Sequence, residues 1–347
     1  MTRLVAITGI GLVSSHGEGR EAHLGLLAGA APVLDEARFA PHAVHPLPPL
    51  AMEAAIPRRE WRQMETWQRL GTYAAGLAIA DAGAKERVAD MDLVVAAGGG
   101  ERDLALDEAI MAADPPERER HRMLGDGLRP TLFLAQLSNL LAGSISIVHG
   151  VGGSSRTLLG EEIAGAEALR IAAARVAAGT SRIALAGAAF VAERADMLLL
   201  YASGGVLHRG PWQPLPARRG LCLGSAAAFL VLEPEEEARA RGAAPIARIT
   251  SLATDQGDAA GRLARLAALA GDAPAALRLS AASGAVPGEA EAGGLFTADL
   301  IGHPVEAAFP AALALAALGV AAGAPDALVT GCGQWAGEAA ARLERPA

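Results

Sequence analysis

The sequence predicts an α/β protein: a mostly parallel sheet, covered on both faces by helices and built from two similar halves. Three observations predict it. Apolar, strand-like runs such as 92–97 and 183–188 alternate with helical stretches, as in a sheet with crossover helices. The order strand, helix, strand, apolar helix, strand occurs in residues 1–242 and again in 243–347, which reads as an internal duplication. Hydrophobic residues make up 52% and aromatics only 3%, with 41 glycines, so the core has to close through small side chains and near backbone contacts.

The elements follow in order. Residues 4–8 form the first strand, stopped by Gly9 and Gly11, and a helix follows over 19–28. Pro46, Pro48 and Pro49 exclude a regular element around 41–49. A helix over 68–82 has apolar residues at helical spacing, and a buried strand over 92–97 ends in Gly98-Gly99-Gly100. Residues 107–128 are charge-dense, helical and solvent-facing; 130–141 hold another helix and 144–148 an extended piece. An elbow at Glu162 opens an Ala-rich helix, followed by a turn at 179–181 and the strand 183–188. A strand over 226–233 ends at Pro234, and a polar helix over 235–241 closes the first half. The second half runs through a strand at 246–249, a helix at 259–270, a strand at 277–281, the Gly302-His303 turn, an apolar helix and a final strand at 327–330.

Composition narrows the function classes. The formal net charge is −8, which argues against a nucleic-acid partner. The apolar stretch 304–324 holds Glu306, Pro310 and Gly319, which favours a buried helix over a membrane span. No secretory h-region follows the start, so a cytoplasmic protein is expected. The two cysteines, Cys222 and Cys332, have no metal-ligand spacing and read as reduced, packed thiols. Gly9-Ile10-Gly11 lacks the third glycine and the acidic residue of a dinucleotide fingerprint, so neither cofactor nor metal is expected.

A series of segments in order carries a family resemblance. Residues 5–17 read Val-Ala-Ile-Thr-Gly-Ile-Gly-Leu-Val-Ser-Ser-His-Gly, and Leu26-Leu27-Ala28-Gly29 follows. Asn139, Ala142, Gly143, Ser146 and Gly150 keep a common register. Pro214-Leu215-Pro216 leads through Arg218 and Gly220 to Gly224, and 230–242 follows as Leu-Val-Leu-Glu with a later Arg-Gly. Together these resemble the β-ketoacyl-acyl carrier protein synthases of the thiolase superfamily. The resemblance implies a five-layer α/β/α/β/α sandwich of two duplicated halves: 1–242, and a shortened 243–347.

The positions that carry chemistry in that family differ here. The resemblance places a nucleophilic cysteine three residues before Gly165, where this chain has Glu162. It places one histidine at Ser283, in the run 282–287, and a lysine at Ala298, whereas the second histidine is kept as His303. The family's late gating loop is replaced by Gly333, Gln334 and Trp335. A condensing enzyme needs a thiolate to hold the acyl chain and two imidazoles to donate to the malonyl oxygen. No catalytic residue is therefore expected among these degenerate positions.

Alternatives remain at each position. Glu162 reads as a helix-capping polar contact, as a general base, or as a near-isostere of the Gln that chain-length-factor subunits carry there. His303 reads as a surviving oxyanion donor or as a locally bonded strand end, Cys332 as a packed thiol in a turn, and His16 as a satisfied histidine. The resemblance also implies that Arg156, Thr157, Leu158 and Leu159 form a strand that pairs across a dimer interface. The expected function is a non-condensing, chain-length-factor-like subunit. It would form a heterodimer with an active ketosynthase, shape its acyl tunnel, and meet acyl carrier protein through the complex. The expected setting is specialised fatty-acid, polyene or polyketide biosynthesis. A malonyl-carrier-protein decarboxylase using Glu162 and His303, and a structural homodimer, are the alternatives.

Overall fold

The structure is a computed structural model that describes residues 3–130, 132–286, 288–289 and 293–346, with only the backbone of Ala135. Pro287, at the end of the run compared with the family's first histidine segment, lies outside the described residues.

Two strand blocks repeat one topology. The first contains β1 (Val5–Ser14), β3 (Asp92–Ala96), β4 (Ser155–Leu158), β5 (Ala184–Phe190) and β6 (Ala226–Pro234), with β2 (Gly17–Glu18) folding back on β1. The second contains β7 (Ala247–Asp255), β8 (Leu277–Ser280), β9 (Leu295–Phe296), β10 (Asp326–Cys332) and β11 (Glu338–Glu344). The strands lie in the order β4-β3-β5-β6-β1 and then β7-β11-β10-β8-β9. Read from its far edge, the second block repeats the first strand for strand, parallel and antiparallel pairs included. The blocks join where Val5, Ala6 and Ile7 pair with Ile249, Arg248 and Ala247.

Helices fill the remaining layers. An elbow helix (Glu161–Ala177) packs on β3 and β5 of the first block and on β7 of the second. An apolar helix (Ala308–Ala321) packs on β8, β10 and β11, and on β6 from the opposite side. These two helices touch each other and form the middle layer, where the largest core lies. Helices Thr66–Asp81 and Leu140–His149 cover the outer face of the first block, and Arg262–Ala270 covers that of the second. The arrangement is the five-layer sandwich of duplicated halves that the sequence led us to expect. The apolar helix is 14 residues long, and among the described residues no helix is long and apolar enough to cross a membrane.

Three local expectations are corrected. The sheet is mixed rather than mostly parallel: β1–β6, β1–β7, β5–β6, β7–β11 and β10–β11 are all antiparallel. A short connection such as the five residues between Cys332 and Glu338 has no room for a parallel crossover. Strand β11 was not anticipated, because Glu-Ala-Ala-Ala-Arg-Leu-Glu has helical propensity. It is a strand because β10 and β7 supply hydrogen-bonding partners on both its sides. Residues 144–148 are helical, not extended. Leu141, Ala142 and Ile145 bury one face, and the ring of His149 hydrogen-bonds the Thr72 carbonyl at 2.8 Å.

Candidate functional site

The elbow is built by backbone strain. Gly160 has φ +143° and Glu161 has φ +54°, a left-handed conformation that a side chain with Cβ rarely adopts. This sharp turn sets Glu162 in the first turn of the elbow helix, with 6% of its surface exposed. Farther along the helix Gly165 faces the chain before the apolar helix. A Cβ there would come within 1.9 Å of the Glu306 carbonyl oxygen, so the approach depends on glycine.

His303 reaches the elbow from the second half. Its N–H donates to the Cys222 carbonyl at 2.8 Å, and its carbonyl accepts from Gly224 at 3.2 Å. The segment 220–224, part of the family-like series, thus holds the histidine in place. Its Nε2 lies 2.7 Å from Oε1 of Glu162, and both side chains are buried. The sequence offered a locally bonded imidazole as one reading of His303; the partner is instead 141 residues away in the chain. Burial works against the Glu162 charge. The hydrogen bond and charge of His303, with main-chain N–H donors including that of Gln334, outweigh it and hold the carboxyl below its ordinary range.

Residues 333–337 form a tight hairpin loop between β10 and β11. Gly333 donates to the Gly337 carbonyl at 3.0 Å. The Arg262 guanidinium donates to the carbonyls of Gly333 at 2.7 Å and Gly337 at 3.2 Å, and to Glu338 at 2.6 Å. Gln334 supplies the N–H to Glu162, and Trp335, 55% exposed, hydrogen-bonds Glu161. Between Glu162, Cys332, Gly333 and Phe309 only about 10 Å³ of cavity remains. That is room for one water at most.

The other candidate residues lie around this centre. Ser283 is buried, and its N–H donates to the Cys332 carbonyl at 3.3 Å. Ala298 is buried in the short helix Thr297–Leu300, and its carbonyl accepts from Arg218, which also pairs with Asp299 at 2.8 Å. Neither residue lines the cavity at Glu162. Cys332 ends β10 inside the core, not in an exposed turn, and burial pushes its thiol up to about 12. His16 lies beside Leu300, with its ring 3.2 Å from that carbonyl. In the proposed interface strand, Ser155 and Arg156 are exposed, Thr157 and Leu158 half-buried, and Leu159 follows the strand's last residue. β4 is the edge of the sheet. Among the described residues no group of His, Cys, Asp and Glu is arranged to hold a metal ion.

Sequence reasoning missed Glu306. It is a carboxyl in an apolar run, buried against Gly98, whose missing Cβ leaves space for Oε1. Burial pushes it up to about 7, with the charges of Glu162 and Glu161 adding to the shift. Its signal was present: one acid between His303 and the apolar helix, in a stretch otherwise without charge. The Arg262–Glu338 clamp had no visible signal, because its partners are brought together only by β11.

The model of the family described as "Beta-ketoacyl synthase, N-terminal domain" matches residues 2–238. The chain is 29% identical over 261 residues to the tetracenomycin polyketide synthase ketoacyl synthase beta subunit of Streptomyces glaucescens. That alignment covers 70% of this chain and 61% of the relative, less than two thirds of its length. Among solved structures, the ishigamide ketosynthase/chain length factor superposes with TM-score 0.80 at 19% identity, covering 100% of both chains. A type II polyketide-synthase acyl-carrier protein in complex with its ketosynthase gives TM-score 0.80 at 18% identity, again over 100% of both chains. A beta-ketoacyl synthase from Burkholderia phymatum STM815 gives TM-score 0.77 at 19% identity. At such identities the structural likenesses establish the fold. With the family match over most of its length, the chain belongs to the β-ketoacyl synthase family of the thiolase superfamily, and within it resembles the chain-length-factor, or ketosynthase β, subunits.

Proposed function

We propose that the chain is a non-condensing subunit that pairs with an active β-ketoacyl-carrier-protein synthase in the cytoplasm and shapes its acyl tunnel. The observation that carries this reading is the buried Glu162–His303 pair at the elbow. A carboxylate there is a poor acyl acceptor. The one imidazole that would donate to a malonyl oxygen is already committed to Glu162, and the surrounding space is filled. The decarboxylase alternative has less support for the same reason, since a substrate thioester would have to break the pair to reach His303.

The partner would dock along the edge strand β4, with Arg156, Thr157 and Leu158 pairing across the interface and Leu159 just beyond it. An unpaired edge of a buried sheet needs cover, which supports a dimer. We further assign residues 1–242 to the first half and 243–347 to the shortened second half; β7, at Ala247, opens the second strand block. Carrier protein would reach the chain through the complex. Polyketide, polyene or specialised fatty-acid assembly is the setting the resemblance favours.

Co-expression with a synthase bearing an intact cysteine and both histidines tests the reading. Co-elution as a heterodimer, with the synthase losing activity or product-length control without this chain, is the expected result. Separate elution with the synthase fully active alone would refute it.

A further inference from the structure

The edge strand β4 carries one charged residue, Arg156. It is exposed, and among the described residues it has neither a hydrogen bond nor an ion pair. The register with β3 shows which way it points. Val94 lies beside Arg156 and Ala96 beside Leu158, and both belong to the core around the elbow helix. Arg156 and Leu158 therefore face the middle layer, and Ser155 and Thr157 face outward. Large apolar side chains flank the edge. Leu159 is 70% exposed, and Ile147, 69% exposed, lies on the helix Leu140–His149 that packs beside β4. The cleft that Leu158 and Leu159 line holds two carboxylates. Glu167 is committed to Arg170 at 2.6 Å and to Thr254. Asp255 is exposed and is the counter-charge that a second copy could offer.

Two copies that extend the sheet through β4 would pair antiparallel about a two-fold axis, with both middle layers on the same side. Directly opposed residues of such a ladder share a face. Only registers that set even-numbered residues against even-numbered ones keep the layers aligned. Centred on Arg156, the pairing puts this residue directly opposite its own copy. Centred on Thr157, it puts Arg156 opposite Leu158 and diagonal to its copy. Directly opposed Cβ atoms lie about 5 Å apart and diagonal neighbours about 7–8 Å. Each register thus brings two unpaired guanidiniums together on the middle-layer side. Like charges across a strand pair destabilise it, whereas opposite charges stabilise it. We propose that Arg156 selects the partner: it disfavours pairing of β4 with a second copy of this chain and fits a partner strand that presents a carboxylate to it. The selection rests on the proposed docking along β4 and adds what the partner's edge must carry.

Mixing two forms of the full-length chain tests this without any synthase. Wild type and Arg156→Glu each set like charges across a self-pair, whereas their mixture can set Arg156 against the introduced carboxylate. Sedimentation equilibrium in about 50 mM sodium chloride should show association about tenfold tighter in the equimolar mixture than in either form alone. The difference should shrink in about 500 mM salt. Arg156→Thr, which removes the charge and keeps strand propensity, should self-associate about tenfold more tightly than wild type. Wild type that self-associates as tightly as the mixture, or a mixture no tighter than its components, overturns the inference. So does unchanged or weaker self-association of Arg156→Thr; a weaker one would mean that Asp255 of a second copy serves as the counter-charge. A synthase that co-elutes with the wild-type chain should lose about tenfold in affinity for Arg156→Glu. Undiminished pairing with that variant would sink this inference alone, whereas a synthase that never pairs with the wild-type chain would sink the proposed function alone.

Discussion

The two middle-layer helices occupy equivalent places in the repeated halves, yet they differ in sequence and surroundings. Each is entered through a strained non-glycine residue, Glu161 at φ +54° for the elbow helix and Val305 at φ +41° shortly before the apolar helix. Between these turns Glu162 and His303 meet. In the apolar helix every residue from Ala308 to Val320 is buried. The elbow helix buries its Ala-rich face but presents Glu167 and Arg170 to an open groove of about 950 Å³ beside β7. One architectural position thus accepts two compositions. Where sheets close over the whole helix, charge is excluded; where one side stays open, a polar stripe persists.

The sharpest way to break this comparison is to add a methyl group to each helix. Gly165→Ala drives a Cβ to 1.9 Å from a backbone carbonyl that cannot move without shifting Glu306. Gly319→Ala meets Leu277 Cδ2 at 2.3 Å and Leu27 Cδ1 at 3.3 Å, the ends of flexible side chains. Urea melts should show a loss of about 3 kcal/mol or more for the first, and about 1 kcal/mol for the second. Equal losses would mean that the elbow helix is not held closer than its counterpart.

Comparable in size is the effect at the pair itself. Glu162→Ala leaves His303 buried without its partner and should cost about 3–5 kcal/mol in chemical denaturation. Glu162→Gln retains a hydrogen-bond acceptor and should cost only about 1 kcal/mol. Because the Glu162 carboxyl is held below its ordinary range, its stabilising contribution is present at neutral pH. It is lost as pH falls below that ordinary range and through the depressed folded value. The gap between wild type and Glu162→Gln should therefore shrink in acid.

Much of this was legible in the chain. The alternation of strands and helices gave the layers, and the Gly165 spacing located the elbow at Glu162. The Gly302-His303 turn was visible too, but its imidazole's partner was not, because only packing of the two halves brings residues 141 apart into contact. β11 was hidden because its alanines, glutamates, leucine and arginine prefer a helix, and long-range pairing overrules that preference. Glu306 was read only as a mark against a membrane span, because a lone acid in an apolar run does not show what it packs against; only the missing Cβ of Gly98 shows where it fits.

Glu306 and Glu162 should respond oppositely to pH. Burial raises Glu306 from 4.5 to about 7, so the folded chain binds its proton more tightly than the unfolded chain does. Its contribution is fully present below the lower value, declines as pH rises through this window and levels off above it. Glu306→Gln should be as stable as wild type at acid pH and about 1–3 kcal/mol more stable above neutrality, as thermal melts across pH would show. A constant difference at every pH would place the charge elsewhere. The smallest effect is expected at the rim: Trp335→Ala removes the hydrogen bond to Glu161 and should cost less than about 1 kcal/mol in the same melts.

The most direct measurement is intact-protein mass analysis of the purified chain after incubation with acyl- and malonyl-carrier protein, with the carrier-bound products analysed in parallel. Unmodified protein and no lengthened thioester are predicted for the chain alone, with extension appearing only when a cysteine-bearing synthase is added. An acyl adduct on this chain, or a lengthened product formed without the synthase, would contradict the account.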